Sequence, residues 1–256
     1  MEIKIVETQI SVLKPMVANY LAHLASPIDS FLEDHILASK HYVILLNGET
    51  AGYCAVHKTS LLTQYYLHDE FKQQGQAVFQ RLKKLEAVQA AFVPTADEFF
   101  LAHALDEYKQ LDKQAYFFQT RKNHDVLTMD SSIGGRLAQP SDTALIKAYA
   151  GDFFDEIESS IQKEQIYVMT KEQTCVGFGV LAKSELQPAW ASIGMYTRAE
   201  FRNQGIGRNI IRYLINECRR QQRQAIAGCW YYNHLSKKTL ESAGMYTQTR
   251  LLKVSY

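Results

Sequence analysis

Residues 70–75 read Glu-Phe-Lys-Gln-Gln-Gly and residues 200–205 read Glu-Phe-Arg-Asn-Gln-Gly, 130 positions apart in a chain of 256. Four of the six positions are identical, and Lys72 against Arg202 preserves the charge. Upstream, Tyr42-Val43 recurs as Tyr167-Val168, and Gly52-Tyr53 recurs as Gly177-Phe178, both at a separation of 125. The matches keep one order, and the difference of five residues fits a longer hairpin in the second half. An internal repeat constrains the fold more than any single motif, because each copy must be one structural unit. Two copies of one fold therefore compete with a single large domain, and the ordered matches favour two. The length allows it, since domains most often run about 100–150 residues. The boundary region is 123–136, where Asp130-Ser131-Ser132 and Gly134-Gly135 carry turn and linker chemistry. The expected domains are 1–125 and 126–256.

Composition excludes several partners. The net charge is +1, from 28 basic and 27 acidic residues, which gives no electrostatic reason to bind nucleic acid or an anionic membrane. No stretch approaches the ~18 apolar residues of a membrane helix, and Met1–Glu7 is interrupted by acids, unlike a secretory signal. Cys54, Cys175, Cys218 and Cys229 form no C-x-x-C pair, and the eight histidines show no ligand spacing, so no metal is expected. A cytoplasmic location is the expectation.

The second copy alternates strand and helix patterns. Residues 136–138, 166–170, 175–182, 190–197, 225–232 and 245–254 read as strands. Pro140-Ser141-Asp142 opens a helix carrying Leu145, Ile146, Tyr149 and Phe153. A second helix runs from Gly205 to about Cys218, with Ile206, Ile210 and Leu214 beside Ile211 and Ile215 on one face. A short third, 236–242, stops before Gly244. In the first copy, 31–38, 76–90 and 97–109 read as helices, and 42–46, 52–57, 91–93 and 115–119 as strands.

Gly205-x-Gly207 opens a helix directly after a strand and a short loop. The first turn of a helix has unpaired N–H groups and partial positive charge, and glycine lets an anion approach them. Arg202 and Arg208 add positive charge on both sides. On these residues alone a plain tight turn and a phosphate cradle remain alternatives. No Gly-Lys-Ser/Thr follows, so the loop is not a P-loop, and Ile210 replaces the third glycine of a dinucleotide fingerprint.

Arg202-x-x-Gly205-x-Gly207 resembles the Q/R-x-x-G-x-G/A loop of the GNAT superfamily of N-acetyltransferases. Met195–Arg202 is similar to that family's approach strand, and Asn233-His234-Leu235-Ser236 with Ala243-Gly244-Met245 is similar to its later elements. The likeness covers roughly 136–256. It implies an α+β fold of two tandem domains, each a mixed, mostly antiparallel sheet flanked by helices. It also implies direct acetyl transfer from acetyl-CoA to an amine. By resemblance, the backbone of Asn203, Gln204, Gly205, Ile206, Gly207 and Arg208, with Arg202 beside it, holds the CoA pyrophosphate. Met195 and Thr197 pair with the pantetheine arm, and an N–H near Thr197 polarises the thioester carbonyl. Asn233 and Ser236 touch the cofactor from the other side.

The departures are specific. Leu240 stands where many members place a tyrosine that protonates the leaving thiolate. The strand 191–197 has no Asp or Glu to act as base. Ser236, Tyr232 and Glu156 are the remaining catalytic candidates. Asp152, Asp155, Glu156 and Glu158 lie where the family shapes its acceptor pocket and could attract a cationic amine, but a solvated acidic face is the favoured reading, because helical carboxylates are usually surface. In the first copy Ala77 replaces the second glycine, and no Asn-x-x-Ser follows. That copy reads as a degenerate domain. The expectation is an N-acetyltransferase using acetyl-CoA and an amine acceptor; the alternative is a non-catalytic acyl-CoA-binding or regulatory protein.

Overall fold

The computed structural model describes residues 1–58, 60–85, 88–121, 128–151, 153–154 and 156–256. The chain forms two compact units, Met1–Tyr116 with Thr249–Tyr256, and Phe117–Gln248.

In chain order the first unit holds β1 (Ile3–Thr8), α1 (Ile10–His23), α2 (Ser30–Leu37), β2 (Lys40–Leu46), β3 (Glu49–His57) and β4 (Leu61–Leu67). A 3-10 turn (Asp69–Gln74) leads into α3 (Gly75–Lys83), β5 (Ala90–Pro94), α4 (Glu98–Ala104) and β6 (Gln110–Gln119), whose last three residues belong to the second unit. Strands β1 to β4 form antiparallel neighbours. Strand β5 is parallel to β4, but the two pair only at Leu61–Ala90 and Leu62–Ala91 and then diverge. The Asn47-Gly48 hairpin joins β2 to β3 with both residues at positive φ, +50° and +92°. Two-residue hairpins favour this turn because its twist matches that of the strands.

The second unit repeats the plan. It holds β7 (Ile133–Leu137), α5 (Thr143–Ala150), α6 (Ile157–Gln162), β8 (Ile166–Lys171), β9 (Thr174–Lys183) and β10 (Trp190–Thr197). These are followed by α7 (Ile206–Arg220), β11 (Gln224–Trp230), α8 (His234–Ser242) and β12 (Tyr246–Ser255), whose first residues lie in this unit. Glu172 and Gln173 both take positive φ in the β8–β9 hairpin, 125 positions after Asn47 and Gly48. The second copy's extra residues lengthen the β9–β10 hairpin: its connection, 184–189, is longer than 58–60 between β3 and β4, and each of its two strands is one residue longer. Helix α7 buries Ile206, Ile210, Ile211, Leu214, Ile215 and Cys218. Each such aliphatic side chain contributes roughly 1.5–3 kcal/mol when taken from water, which fixes the helix against the sheet.

The glycines matched in sequence are equivalent in space. A Cβ on Gly52 would lie 2.0 Å from the Tyr66 carbonyl oxygen, and one on Gly177 would lie 2.2 Å from that of Tyr196. Each glycine lets its strand close on the strand that carries the repeated loop.

Several expectations are corrected. Gly134 and Gly135 are not linker; they pair with Thr170 and Met169 inside β7. The helix after Pro140 begins as a 3-10 turn and ends at Ala150, so Phe153 lies beyond it. Helix α3 ends at Lys83 and α4 at Ala104, both earlier than their apolar patterns suggested. Strand β1, helix α1, strand β4 and helix α6 are additional. The expected boundary at 125/126 falls in 122–127, outside the described residues. The compact units also assign 249–256 to the first unit, because β12 pairs antiparallel with β5 from Leu251–Pro94 to Ser255–Ala90. The sequence pattern marks a strand there but cannot name its partner.

Candidate functional site

Strand β10 pairs with β9 along its length, from Ala191–Lys183 to Thr197–Gly177. Its parallel pairing with β11 stops after Trp190–Gln224, Ala191–Ala225 and Ser192–Ile226. Beyond Ser192 the edge towards β11 is open. The Arg198 N–H donates to the Val176 carbonyl, and backbone groups alternate sides along a strand. The N–H and C=O groups of Met195 and Thr197 therefore face the open edge.

The loop from Arg202 to Gly205 connects this edge to α7. Asn203 (φ +60°) and Gly205 (φ +77°) take left-handed conformations, and Gly205 is the N-cap residue of α7. The Arg202 Nε donates to the Thr197 carbonyl at 3.2 Å, tying the loop to the strand end. The Arg208 guanidinium folds back so that a Cβ on Gly205 would lie 3.2 Å from it. At Gly207 a Cβ would meet Thr197 Oγ1 and Thr239 Cγ2 at 3.2 Å and Met195 Sδ at 3.4 Å. Gly207 thus lets the first turn of α7 press against β10 and α8. The buried Asn209 braces that turn: its Nδ2 donates to the Gly205 carbonyl and its Oδ1 accepts from the Asp130 N–H, both at 3.0 Å. Asn209 carries no sequence signal because its partner is 79 residues away. Together these features place the N-terminus of α7 at the mouth of an open strand edge, where unpaired N–H groups of a first helical turn can receive an anion.

Two family models described as "Acetyltransferase (GNAT) domain" match the chain, at residues 9–121 and 162–248, together well over half of it. The chain belongs to the GNAT acetyltransferase family. It carries two such domains. Among solved structures it is similar to a GNAT-family acetyltransferase from Colwellia psychrerythraea, with TM-score 0.86, 21% identity and full coverage of both chains. A tandem GNAT protein from the clavulanic acid biosynthesis pathway gives TM-score 0.67 at 12% identity, over 100% of this chain and 98% of that one. A GCN5-related N-acetyltransferase from Sphaerobacter thermophilus gives 0.63 at 14%, over 99% and 95%. At these identities the likeness is one of fold. No curated protein matches the sequence. The α+β tandem GNAT architecture read from the sequence is the one observed.

The later GNAT elements have defined places. The Asn233 Oδ1 accepts from the Ser236 N–H at 3.0 Å and caps α8. Ser236 lies in the first turn, and Thr239 of the same helix reaches Gly207. The Cys229 thiol donates to the Trp230 and Asn233 carbonyls, each at 3.5 Å, and burial pushes its pKa up. It packs as a buried thiol. Leu240, at the family's tyrosine position, is 2% exposed. Tyr232 is 54% exposed and packs edge-on against Trp230 and Tyr231. Glu156 occupies the N-cap position of α6 without a side-chain cap bond. No hydrogen bond joins Ser236, Tyr232 and Glu156 to one another among those the structure describes. Glu158 is paired with Lys147 at 2.6 Å, and Asp152 and Asp155 lie outside the described residues.

On the α5 side of β10 is an open pocket of about 410 Å³, lined by Lys147, Tyr149, Gly151, Phe153 and Tyr196 among others. The Arg198 guanidinium lies 3.7 Å above the Tyr149 ring, and Phe153 packs on Tyr196 at 5.6 Å.

The matching loop of the first unit is built differently. Asp69–Gln74 winds as a 3-10 helix straight into α3, and Gly75 has a right-handed φ of −52°. A Cβ on Gly75 would lie 2.4 Å from His103 Nε2 and 2.8 Å from Phe99 Cζ. Side chains of α4 occupy the space in front of the helix start. Lys72, the counterpart of Arg202, is paired with Asp69 at 2.7 Å.

Proposed function

We propose that the second unit binds acetyl-CoA and transfers its acetyl group directly to an amine. The observation that carries this reading is the edge of β10 open beyond Ser192, ending at the left-handed Gly205 and the N-terminus of α7. An extended pantetheine arm can add to that edge as a strand would, using Met195 and Thr197. The N–H groups from Asn203 to Arg208 suit a pyrophosphate, with Arg202 and Arg208 supplying charge. Gly207, lacking a Cβ, lets the start of α7 sit close to Met195 and Thr197. An open-edge N–H at Met195 or Thr197 can stabilise the charge that develops on the thioester oxygen. Asn233 and Ser236, at the start of α8, complete the cofactor wall.

The pocket beside Tyr149, Phe153 and Tyr196 is our choice for the acceptor. Binding both substrates side by side supplies proximity, which can contribute much of the acceleration when acid and base are weak. Ser236 and Tyr232 on one side, and Glu156 on the other, stay candidates for proton transfer. Among the described residues no three metal-ligating side chains cluster, and the direct transfer proposed here calls on no metal. No described helix is long and apolar enough to cross a membrane, and the four cysteines are free. We infer a cytoplasmic enzyme without membrane or nucleic-acid partners.

A second reading, a non-catalytic acyl-CoA-binding protein, is favoured by one observation, the buried Leu240 in place of a general acid. Two measurements decide. A thermal melt at saturating acetyl-CoA should rise, since a ligand of the native state stabilises it by mass action; no shift would sink both readings. Free-thiol release with a panel of primary amines should then exceed the amine-free rate. A thermal shift without thiol release leaves the binding protein.

A further inference from the structure

Helix α7 buries a polar residue beside its apolar face. Asn209 is 6% exposed and is buried along with Ile206, Ile210 and Ile211. An amide in such a place costs free energy unless its hydrogen bonds are made, and asparagine is a weak helix former besides. Here both ends of the amide are used. Nδ2 donates to the Gly205 carbonyl, which also accepts the Asn209 N–H at 3.1 Å, and Oδ1 accepts the Asp130 N–H. Asn209 therefore bridges two pieces of backbone, one inside the Arg202–Gly205 loop and one outside it.

The outer end of the bridge is fixed. The Asp130 Oδ1 accepts from the Ser132 N–H at 3.0 Å and from the Ser132 hydroxyl at 2.6 Å. The Asp130 carbonyl accepts the Ile133 N–H at 3.0 Å, where β7 begins. Two more residues on the same side of α7 hold the chain just before Asp130. Arg212 Nη1 donates to the Thr128 carbonyl at 2.9 Å, and Asn216 Nδ2 lies 3.6 Å from Met129 Sδ. Positions 209, 212 and 216 are three and four apart, so they form one row along the helix.

The inner end is where an anion is concerned. An ordinary N-cap side chain occupies one of the first-turn N–H groups. Gly205 has no side chain, and no side-chain cap closes α7. Asn209 holds the turn by the Gly205 carbonyl instead, which leaves the first-turn N–H groups open to a ligand.

We propose that Asn209 is a positioning residue for acetyl-CoA: by bridging Gly205 to Asp130 it holds the first turn of α7 in the conformation that receives the pyrophosphate. The inference rests on the acetyl-CoA reading of this loop. Such coupling is reciprocal, so bound acetyl-CoA must in turn steady residues 128–132.

Two variants and two readouts test it. N209A removes both bonds, and alanine's better helix propensity offsets part of the loss. N209S keeps a hydroxyl that reaches the Gly205 carbonyl one turn back but is too short to reach Asp130 as well. In calorimetric titration of the full chain each variant should bind acetyl-CoA about tenfold more weakly than the parent, the size expected when one or two hydrogen bonds are lost. The melting temperature without ligand should stay close to the parent's. Hydrogen exchange is the second readout. Acetyl-CoA should slow exchange of the peptide covering 128–132 in the parent and leave it unchanged in both variants, while α7 stays protected in all three.

Parent-like affinity in N209A overturns the proposal and leaves the acetyl-CoA site standing. Parent-like affinity in N209S removes the Asp130 end of the bridge and overturns it too. So does a parent that binds acetyl-CoA without any slowing at 128–132. Weak binding that comes with lost protection along the whole of α7 in both variants also overturns it, because the helix and not its first turn has then failed. A parent that gives neither heat nor a thermal shift with acetyl-CoA sinks both the proposal and the reading beneath it.

Discussion

At Gly205 two demands meet. Its φ of +77° strains any L side chain, and a Cβ would press on the Arg208 guanidinium at 3.2 Å. The left-handed conformation alone costs a non-glycine residue roughly 1–2 kcal/mol. Gly205→Ala should therefore lower stability by about that amount in a urea melt, with modest loss of acetyl-CoA affinity. Gly205→Asp adds a carboxylate where phosphate should sit, and the dissociation constant measured by titration should rise at least 100-fold. An unchanged constant in the aspartate variant would remove the loop from the site. Leu240 poses the opposite problem. Restoring the family's tyrosine by Leu240→Tyr forces a larger polar ring into a site 2% exposed. Overpacking costs about 1–3 kcal/mol, so the variant should melt lower without faster thiol release; a gain in rate would show that the position reaches the reaction. The Gly205-x-Gly207 loop was legible in sequence because the backbone conformation itself demands glycine. The closure of the first copy's loop was not, because Phe99 and His103, which fill it, lie more than 20 residues beyond Gly75.

Among the elements, β12 links the end of the chain to the beginning of the fold. Leu251 and Val254 are fully buried and Leu252 nearly so. Leu252 and Val254 lie in the same apolar cluster as Val78, Phe79 and Phe100. Deleting 249–256 removes these side chains and exposes the edge of β5. At roughly 1.5–3 kcal/mol for each aliphatic side chain, the loss rivals the ~5–15 kcal/mol that holds a typical domain together. Hydrogen exchange of the truncated chain should show 40–94 unprotected, while α7 keeps its protection. Equal protection of 40–94 in both chains would mean that β12 contributes nothing to the first unit. Alternation of apolar residues announced this strand, but periodicity carries no information about a partner more than 150 residues away. Helix α1 was hidden for a local reason: Pro15 interrupts the pattern of Leu13, Val17, Tyr20 and Leu21 that it buries. The repeat, by contrast, was readable because Gly52 and Gly177 each meet a strand carbonyl at about 2 Å. A requirement that severe leaves the same letter in both copies.

Over the whole molecule, the two units should answer to pH in opposite directions. In the first, burial raises Asp29 to about 7 and Asp97 to about 6, with Asp34 and Glu33 adding repulsion at Asp29. A free aspartate titrates near 3.9. Between that value and about 7 the folded state holds protons that the unfolded state has released. Stability of the first unit is therefore greatest at the acid end of this window and falls as pH rises through it. In the second, hydrogen bonds from Arg220 outweigh burial and hold Glu217 at about 2, with Gln221 and Tyr167 assisting. Its contribution is present above the ordinary glutamate value of about 4.3 and disappears as pH falls towards 2. Asp29→Asn separates the effects. The amide oxygen can still accept from the Leu32 N–H that caps α2, but the titration is gone. At pH 8 this variant should be more stable than the parent by something on the order of 2–4 kcal/mol, since a tenfold change in an acid's dissociation constant on folding is worth about 1.4 kcal/mol. Near pH 4 the advantage should vanish. Denaturant-dependent hydrogen exchange, followed peptide by peptide, reads each unit separately across this range. Curves for parent and variant that run parallel from pH 4 to pH 8 would show that Asp29 is ionised in the fold and that its burial is compensated.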